Sequence, residues 1–212
     1  MKYLFTILYF FVVTSLFSQT SFHFEIPTKK QLDSLKTELE TIFMKDQTFR
    51  RIYIEAEKKL GKDSDAYEYF WEVVEAQDKI LEKEVTNIID TYGWLGISQI
   101  GRLANTALWG VLQHGSITSK EKYASLLKNS VLKKESQSIH YARLIDRMLI
   151  NSNKAQLYGT QINYDNEEPV FYEISQPEFV DKRRKKIGLS TIKEYAKSRK
   201  IEWTITQKKR NK

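Results

Sequence analysis

The feature that most constrains the fold is a change of hydrophobic period at a turn signal, residues 151–153. Before this turn, apolar residues recur every three or four positions in five successive stretches, the spacing that places them on one face of a helix. Capping signals bound the stretches, such as Thr28 with Gln31 before the first and Gly61 after it. The sequence therefore predicts five helices, over about 28–60, 64–93, 98–114, 118–131 and 136–150.

Beyond the turn, the residue types favour strands. Residues 156–164 and 170–174 are rich in Tyr, Thr, Val, Ile and Phe, and the acidic stretch between them predicts a β-hairpin. The chain after it is predicted to form short helices over about 177–186 and 190–200 and a last strand over about 201–206. The expected fold class is α+β and helix-dominated, with about five helices followed by a small C-terminal segment of β-hairpin and short helices.

The N-terminus has the layout of a secretory signal peptide. Lys2 precedes an apolar run that extends to Val13, and the small residue Ser18 predicts a cleavage site after residue 18. A membrane anchor is the alternative, but the run is shorter than the roughly 18–20 residues that a spanning helix needs. The chain has no cysteine, which excludes a lipid anchor on a thiol and any disulfide. We therefore expect an exported protein, periplasmic or secreted, that is not a lipoprotein and has no stable membrane span after cleavage.

The remaining chain reads as one globular domain, over 28–206, with a basic tail at 207–212. Residues 181–212 hold 13 Lys and Arg against 3 Asp and Glu, while the net charge of the whole chain is +7, so the preceding body is slightly acidic. A basic tail can bind polyanions, or it can pair with the acidic body of its own chain. Export makes nucleic acid an unexpected partner.

Polar residues on separate segments supply candidate site residues. His114 lies at a predicted helix C-terminus, where it can act as a general acid or base or can simply cap the helix. Asp146 and Asp181 are the carboxylates that could orient it, or could instead form ion pairs that hold the fold. The side chains proposed to bind a small or anionic ligand are amides, one phenol and guanidinium groups, which suit neutral hydrogen bonds or anionic oxygens: Gln113, Arg147, Gln156, Tyr158, Gln161, Arg183 and Arg184.

The order of these motifs resembles one family. Gly93-Trp94, Gln113-His114, Asp146-Arg147, the QLYGTQ segment at 156–161, and Asp181 with Arg183-Arg184 succeed one another as in the bacterial domain of unknown function 6624 family. The stretch Asp46-Gln47 with Arg50 resembles that family's N-terminal motif, and so adds these three residues to the ligand-binding candidates. The resemblance implies a shared fold and site, and no activity. The chain departs from the family pattern at Leu95, where Pro is frequent, and at Gly115-Ser116, where Ala-Asp often follows QH.

The sequence lacks several motifs that are typical of metal-dependent, nucleotide-binding and serine-hydrolase sites. The sequence has no HExxH, no P-loop, no GxGxxG and no GxSxG, so we expect neither a metal site nor a cofactor. Three functions stay open. The polar constellation binds a small or anionic ligand; or it forms a metal-independent hydrolase- or transferase-like site with His114 as acid and base; or it is a buried network in a structural envelope or scaffold module.

Overall fold

The computed structural model describes residues 23–164 and 168–205. The predicted signal peptide and the basic tail lie outside the described residues. The elements in chain order are α1 (Lys29–Leu60), α2 (Asp65–Tyr92), α3 (Ile97–His114), α4 (Ile117–Leu132), α5 (Ser138–Asn151), β1 (Ile162–Asn163), β2 (Val170–Phe171), a 3-10 turn (Pro177–Phe179), α6 (Val180–Lys186) and α7 (Ile192–Ser198). Within these residues, seven helices and one two-stranded sheet confirm the helix-dominated α+β class.

Local capping signals fix the ends of the long helices. Thr28 and Gln31 form the predicted capping box of α1, and Ser64 caps α2 through the backbone N–H of Tyr67. α4 begins at Ile117, one residue before its predicted start, and the Ser116 side chain caps it.

α3 is the central helix of the fold. It packs against α1, α2, α4 and α5, and Ala104, Leu108 and Leu112 on it are fully buried. The main core surrounds this helix. A second, smaller core holds the C-terminal segment together around Ile174, Val180 and Ile192. No helix in the described part of the chain is long and apolar enough to cross a membrane.

The hairpin is shorter than its sequence predicts. Two residue pairs form its antiparallel ladder, Ile162 with Phe171 and Asn163 with Val170. Residues 156–161 form a compact loop instead of a strand, with one parallel bridge from Gln156 to Ile174. The predicted strand at 201–206 is likewise absent over its described residues, 201–205.

Candidate functional site

Asp146 of α5 anchors the loop at 156–161. One carboxylate oxygen accepts the backbone N–H groups of Leu157 and Tyr158, at 2.8 and 2.9 Å. The other accepts the N–H and the hydroxyl of Thr160, at 2.9 and 2.8 Å. Burial raises the pKa of Asp146, while these four hydrogen bonds oppose that rise. The carboxylate is fully buried and accepts four hydrogen bonds from the loop. Asp146 therefore anchors the loop to α5.

The loop approaches the C-terminal segment closely at Gly159. Its φ is +69°, in the left-handed region that glycine adopts without strain. A Cβ at this position would lie 2.6 Å from Cδ1 of Ile192 and 2.9 Å from Cδ1 of Ile174. Glycine therefore allows the loop to pack directly on the second core.

Arg183 and Arg184 of α6 tie the same loop to the C-terminal segment. Arg183 donates to the carbonyls of Leu157 and Ser175, at 2.7 and 2.5 Å. Arg184 is 1% exposed and donates to the carbonyls of Tyr158 and Ser190, both at 2.6 Å. The two guanidinium groups that the sequence offered for anion binding thus bind backbone carbonyls.

Three other predicted residues also support this region. The Gln156 amide donates to the carbonyls of Gln161 and Tyr172 and accepts the N–H of Gln161. The Tyr158 ring packs edge-to-face on Tyr141, and burial raises its pKa to about 12. Asp181 accepts the backbone N–H of Ile192 at 2.6 Å, at the first turn of α7.

His114 has a different carboxylate partner from the ones predicted. Its Nδ1 lies 3.0 Å from Oδ1 of Asp46, which is 2% exposed on α1. Gln47 donates to the other Asp46 oxygen at 2.7 Å, and Arg50 links Asp46 to Asp78 of α2. Burial alone would raise the pKa of Asp46, but the hydrogen bond and charge of His114, with Arg50 and Gln47, lower it. Asp46, Gln47 and Arg50 of α1 therefore form one network with Asp78 of α2 and His114 of α3.

A separate cavity of about 230 Å³ lies between α3, α5 and the C-terminal segment. We call it the arginine cavity, because three guanidinium side chains and no carboxylate of the described residues line it. Its lining residues are Trp109, Gln113, Arg143, Arg147, Thr160, Gln161, Ile162, Tyr164, Tyr195 and Arg199. The structure thus brings together three of the predicted ligand-binding residues, namely Gln113, Arg147 and Gln161.

The cavity arginines differ from those of α6 in their partners. Arg147 donates through Nε to Oε1 of Gln161 at 2.7 Å. Arg143 lies over the Trp109 ring and Arg199 over the Tyr195 ring, at 5.9 and 5.4 Å from the ring centres. None of the ion pairs among the described residues includes these three arginines. Their charges are therefore uncompensated within that part of the chain.

A neutral histidine lies behind this cavity. The His140 ring stacks on Trp109 with 4.1 Å between ring centres. Burial, with the positive charges of Arg143 and Arg102, lowers the pKa of His140 to about 3. His140 consequently adds no positive charge near neutral pH.

Sequence reasoning missed several members of the arginine cavity, including Trp109, Arg143, Tyr195 and Arg199. One signal was present: Trp109 with Gln113, and Arg143 with Arg147, stand four residues apart on two helices, which places each pair on one helical face. Among the described residues, no group of three or more His, Cys, Asp or Glu side chains is placed so that it could hold a metal ion.

The fold and this cavity define a helix-dominated α+β protein with a basic, polar cavity beside its central helix. The chain belongs to the family described as "Family of unknown function (DUF6624)", whose model matches residues 33–208. This confirms the resemblance drawn from the order of the motifs. Neither the curated proteins nor the solved structures provide a match.

Proposed function

We propose that the protein binds a small anionic ligand in the arginine cavity. The observation that carries this proposal is that Arg143, Arg147 and Arg199 line one cavity, to which the described part of the chain contributes no carboxylate. Guanidinium groups match the paired oxygens of carboxylates and phosphates. The cavity volume of about 230 Å³ corresponds to roughly eight water molecules at the density of the liquid, which suits a small metabolite rather than a polymer.

The stacked aromatic rings support the same function. Arg143 is held over Trp109, which in turn stacks on the buried His140 ring. A guanidinium group that is already positioned loses less side-chain entropy when an anion binds. Arg147 is similarly positioned by its hydrogen bond to Gln161.

Isothermal titration calorimetry of the protein with inorganic phosphate and with small organic acids and phosphate esters tests this proposal. We expect saturable binding that Arg147→Gln and Arg143→Gln each weaken about tenfold or more, since a charged hydrogen bond contributes about 1.5–3 kcal/mol. Arg51→Gln is the matched control, because Arg51 is exposed on α1 and does not line the cavity. Binding that is equal in all four proteins would refute the cavity as the site.

We also propose that the mature protein is exported after cleavage of the first 18 residues. Lys2, the apolar run and Ser18 support this, and they lie outside the described residues. Intact-mass measurement on protein recovered from its native host should give an N-terminus at Gln19. A protein that retains Met1 would contradict the proposal.

A further inference from the structure

Two polar groups in the arginine cavity have no hydrogen-bond partner among the described residues. They are the Oε1 atom of Gln113 and the Nε1 atom of Trp109, and both atoms are buried. The Gln113 side chain is 6% exposed. A buried polar atom without a partner costs about 1–3 kcal/mol, so each such atom requires an explanation.

These two groups occupy neighbouring positions on one face of α3. They are four residues apart, which places their side chains about 5–6 Å from each other. The same helix also buries apolar side chains such as Leu108 and Leu112, which carry no polar atom that needs a partner. Leucine at position 113 would continue that pattern, whereas glutamine adds an amide that the folded protein leaves unbonded.

The unpartnered atoms call for opposite partners. The Trp109 N–H is a donor only and requires an acceptor, as do the cavity guanidinium groups. The Gln113 amide oxygen is an acceptor and requires a donor. The amide oxygen of Gln161 needs no donor from a ligand, because it already accepts a hydrogen bond from Arg147. An anion without any hydrogen-bond donor would accept from the Trp109 N–H and the guanidinium groups, but it would leave the Gln113 oxygen without a partner.

We infer that the ligand carries a neutral hydrogen-bond donor, a hydroxyl or an amide N–H, in addition to its anionic group. This inference rests on the proposed function and specifies its ligand class. An ammonium donor is disfavoured, because the cavity lining within residues 23–164 and 168–205 holds three guanidinium groups and no carboxylate. The cavity size and these donors together fit a small hydroxylated acid or phosphate ester.

Paired probes that differ only in their hydroxyl groups test the inference. Glycerol 3-phosphate and n-propyl phosphate have the same charge, and glycerate and propionate form the corresponding carboxylate pair. In calorimetry, the wild-type protein should prefer the hydroxylated member of a pair by about tenfold, as expected for one buried hydrogen bond. Gln113→Leu should abolish that preference, so that both members of a pair bind with the same affinity.

Two further variants separate a ligand contact from a general effect on folding. Trp109→Phe, which removes the indole N–H, should weaken both members of a pair. Gln77→Leu is the control, since its amide binds the Lys45 carbonyl on α1 and does not line the cavity, and it should keep the preference. Gln113→Leu should also melt no lower than wild type, because it removes an unbonded buried amide.

The outcomes distinguish the two proposals. Binding of both members of a pair with equal affinity, lost in Arg147→Gln, would overturn the hydroxyl or amide requirement and leave anion binding in place. A preference that survives in Gln113→Leu would overturn it as well. Absence of Arg147-dependent binding for both pairs would refute the anion site itself.

Discussion

His140 is a titratable group that folding buries, and it yields a quantitative prediction for the region behind the arginine cavity. Its side chain is 4% exposed and stacks on Trp109. Burial first, then the charges of Arg143 and Arg102, lowers the pKa of its imidazole to about 3. In the unfolded chain the same group titrates near 6.5.

The direction of the pH effect follows from these two pKa values. As the pH falls through 6.5, the unfolded chain binds a proton that the folded protein excludes until about pH 3. The stability contributed by neutral His140 is therefore complete above pH 6.5 and is lost on acidification below it. Each pH unit in this window costs about 1.4 kcal/mol, so the loss between pH 7 and pH 5 is about 2 kcal/mol.

The variant His140→Phe isolates this contribution. Phenylalanine keeps an aromatic ring against Trp109 and cannot be protonated. Urea unfolding followed by circular dichroism at pH 7, 6 and 5 should show wild type losing about 2 kcal/mol relative to the variant over that range. His23→Phe, at an exposed position, should not reproduce this difference. Parallel stability curves for wild type and His140→Phe would refute the assignment of a depressed pKa.

Three further predictions concern the polar residues of the fold. Asp146→Asn should lower the free energy of unfolding by about 3 kcal/mol in urea titrations, since four donors lose a charged acceptor, and an unchanged value would contradict the anchoring role. Arg184→Met should cost about 3 kcal/mol in calorimetric melting, while the exposed control Lys185→Met should cost less than about 0.5, and equal losses would refute the clamp. Asp46→Asn should destabilise the protein at neutral pH. Because folding lowers the pKa of Asp46, acid unfolding should show that this difference persists down to about pH 4 and disappears only below it, whereas a difference lost between pH 6 and pH 5 would contradict the lowered pKa.

The long helices could be predicted because their signals are local. Thr28 and Ser64 cap α1 and α2 through residues three positions later, so a short stretch of sequence contains both partners. The apolar period of α3 likewise depends only on its own residues. Its central place in the core follows from the fact that a helix with apolar residues on most sides must be surrounded.

The loop at 156–161 could not be predicted in the same way. Its residues have strand-forming side chains, yet its backbone N–H groups bind Asp146, at positions 157, 158 and 160. A hydrophobic period predicts which side chains are buried. It does not predict which backbone N–H groups will donate hydrogen bonds to a carboxylate that is distant in sequence. The same holds for Asp46 and His114, which are 68 residues apart and meet because α1 packs on α3.

The arginine cavity shows a second limit of sequence reasoning. Trp109 and Tyr195 fit the aromatic spacing of a core, and a helical face gives the same pattern whether it meets another apolar face or a cavity. The difference arises only from packing, since α5 brings Arg143 and Arg147 beside Trp109 and Gln113. The amides Gln113 and Gln161 were found because they belong to motifs, and not because their surroundings could be read from the chain.

The charged residues of this fold differ in what they bind. Asp146 and Asp181 accept backbone N–H groups, and Arg183 and Arg184 donate to backbone carbonyls, so each of these charges stabilises the fold. The guanidinium groups of the arginine cavity make fewer hydrogen bonds to the rest of the described chain. Like charges placed around one cavity repel each other, which costs free energy. A ligand that removes this repulsion binds the folded state and not the unfolded chain, so it must raise the melting temperature in proportion to the logarithm of its excess over Kd. A melting temperature that rises with the concentration of the proposed hydroxylated anion in wild type, and not in Arg147→Gln, would therefore test whether such a ligand neutralises these charges.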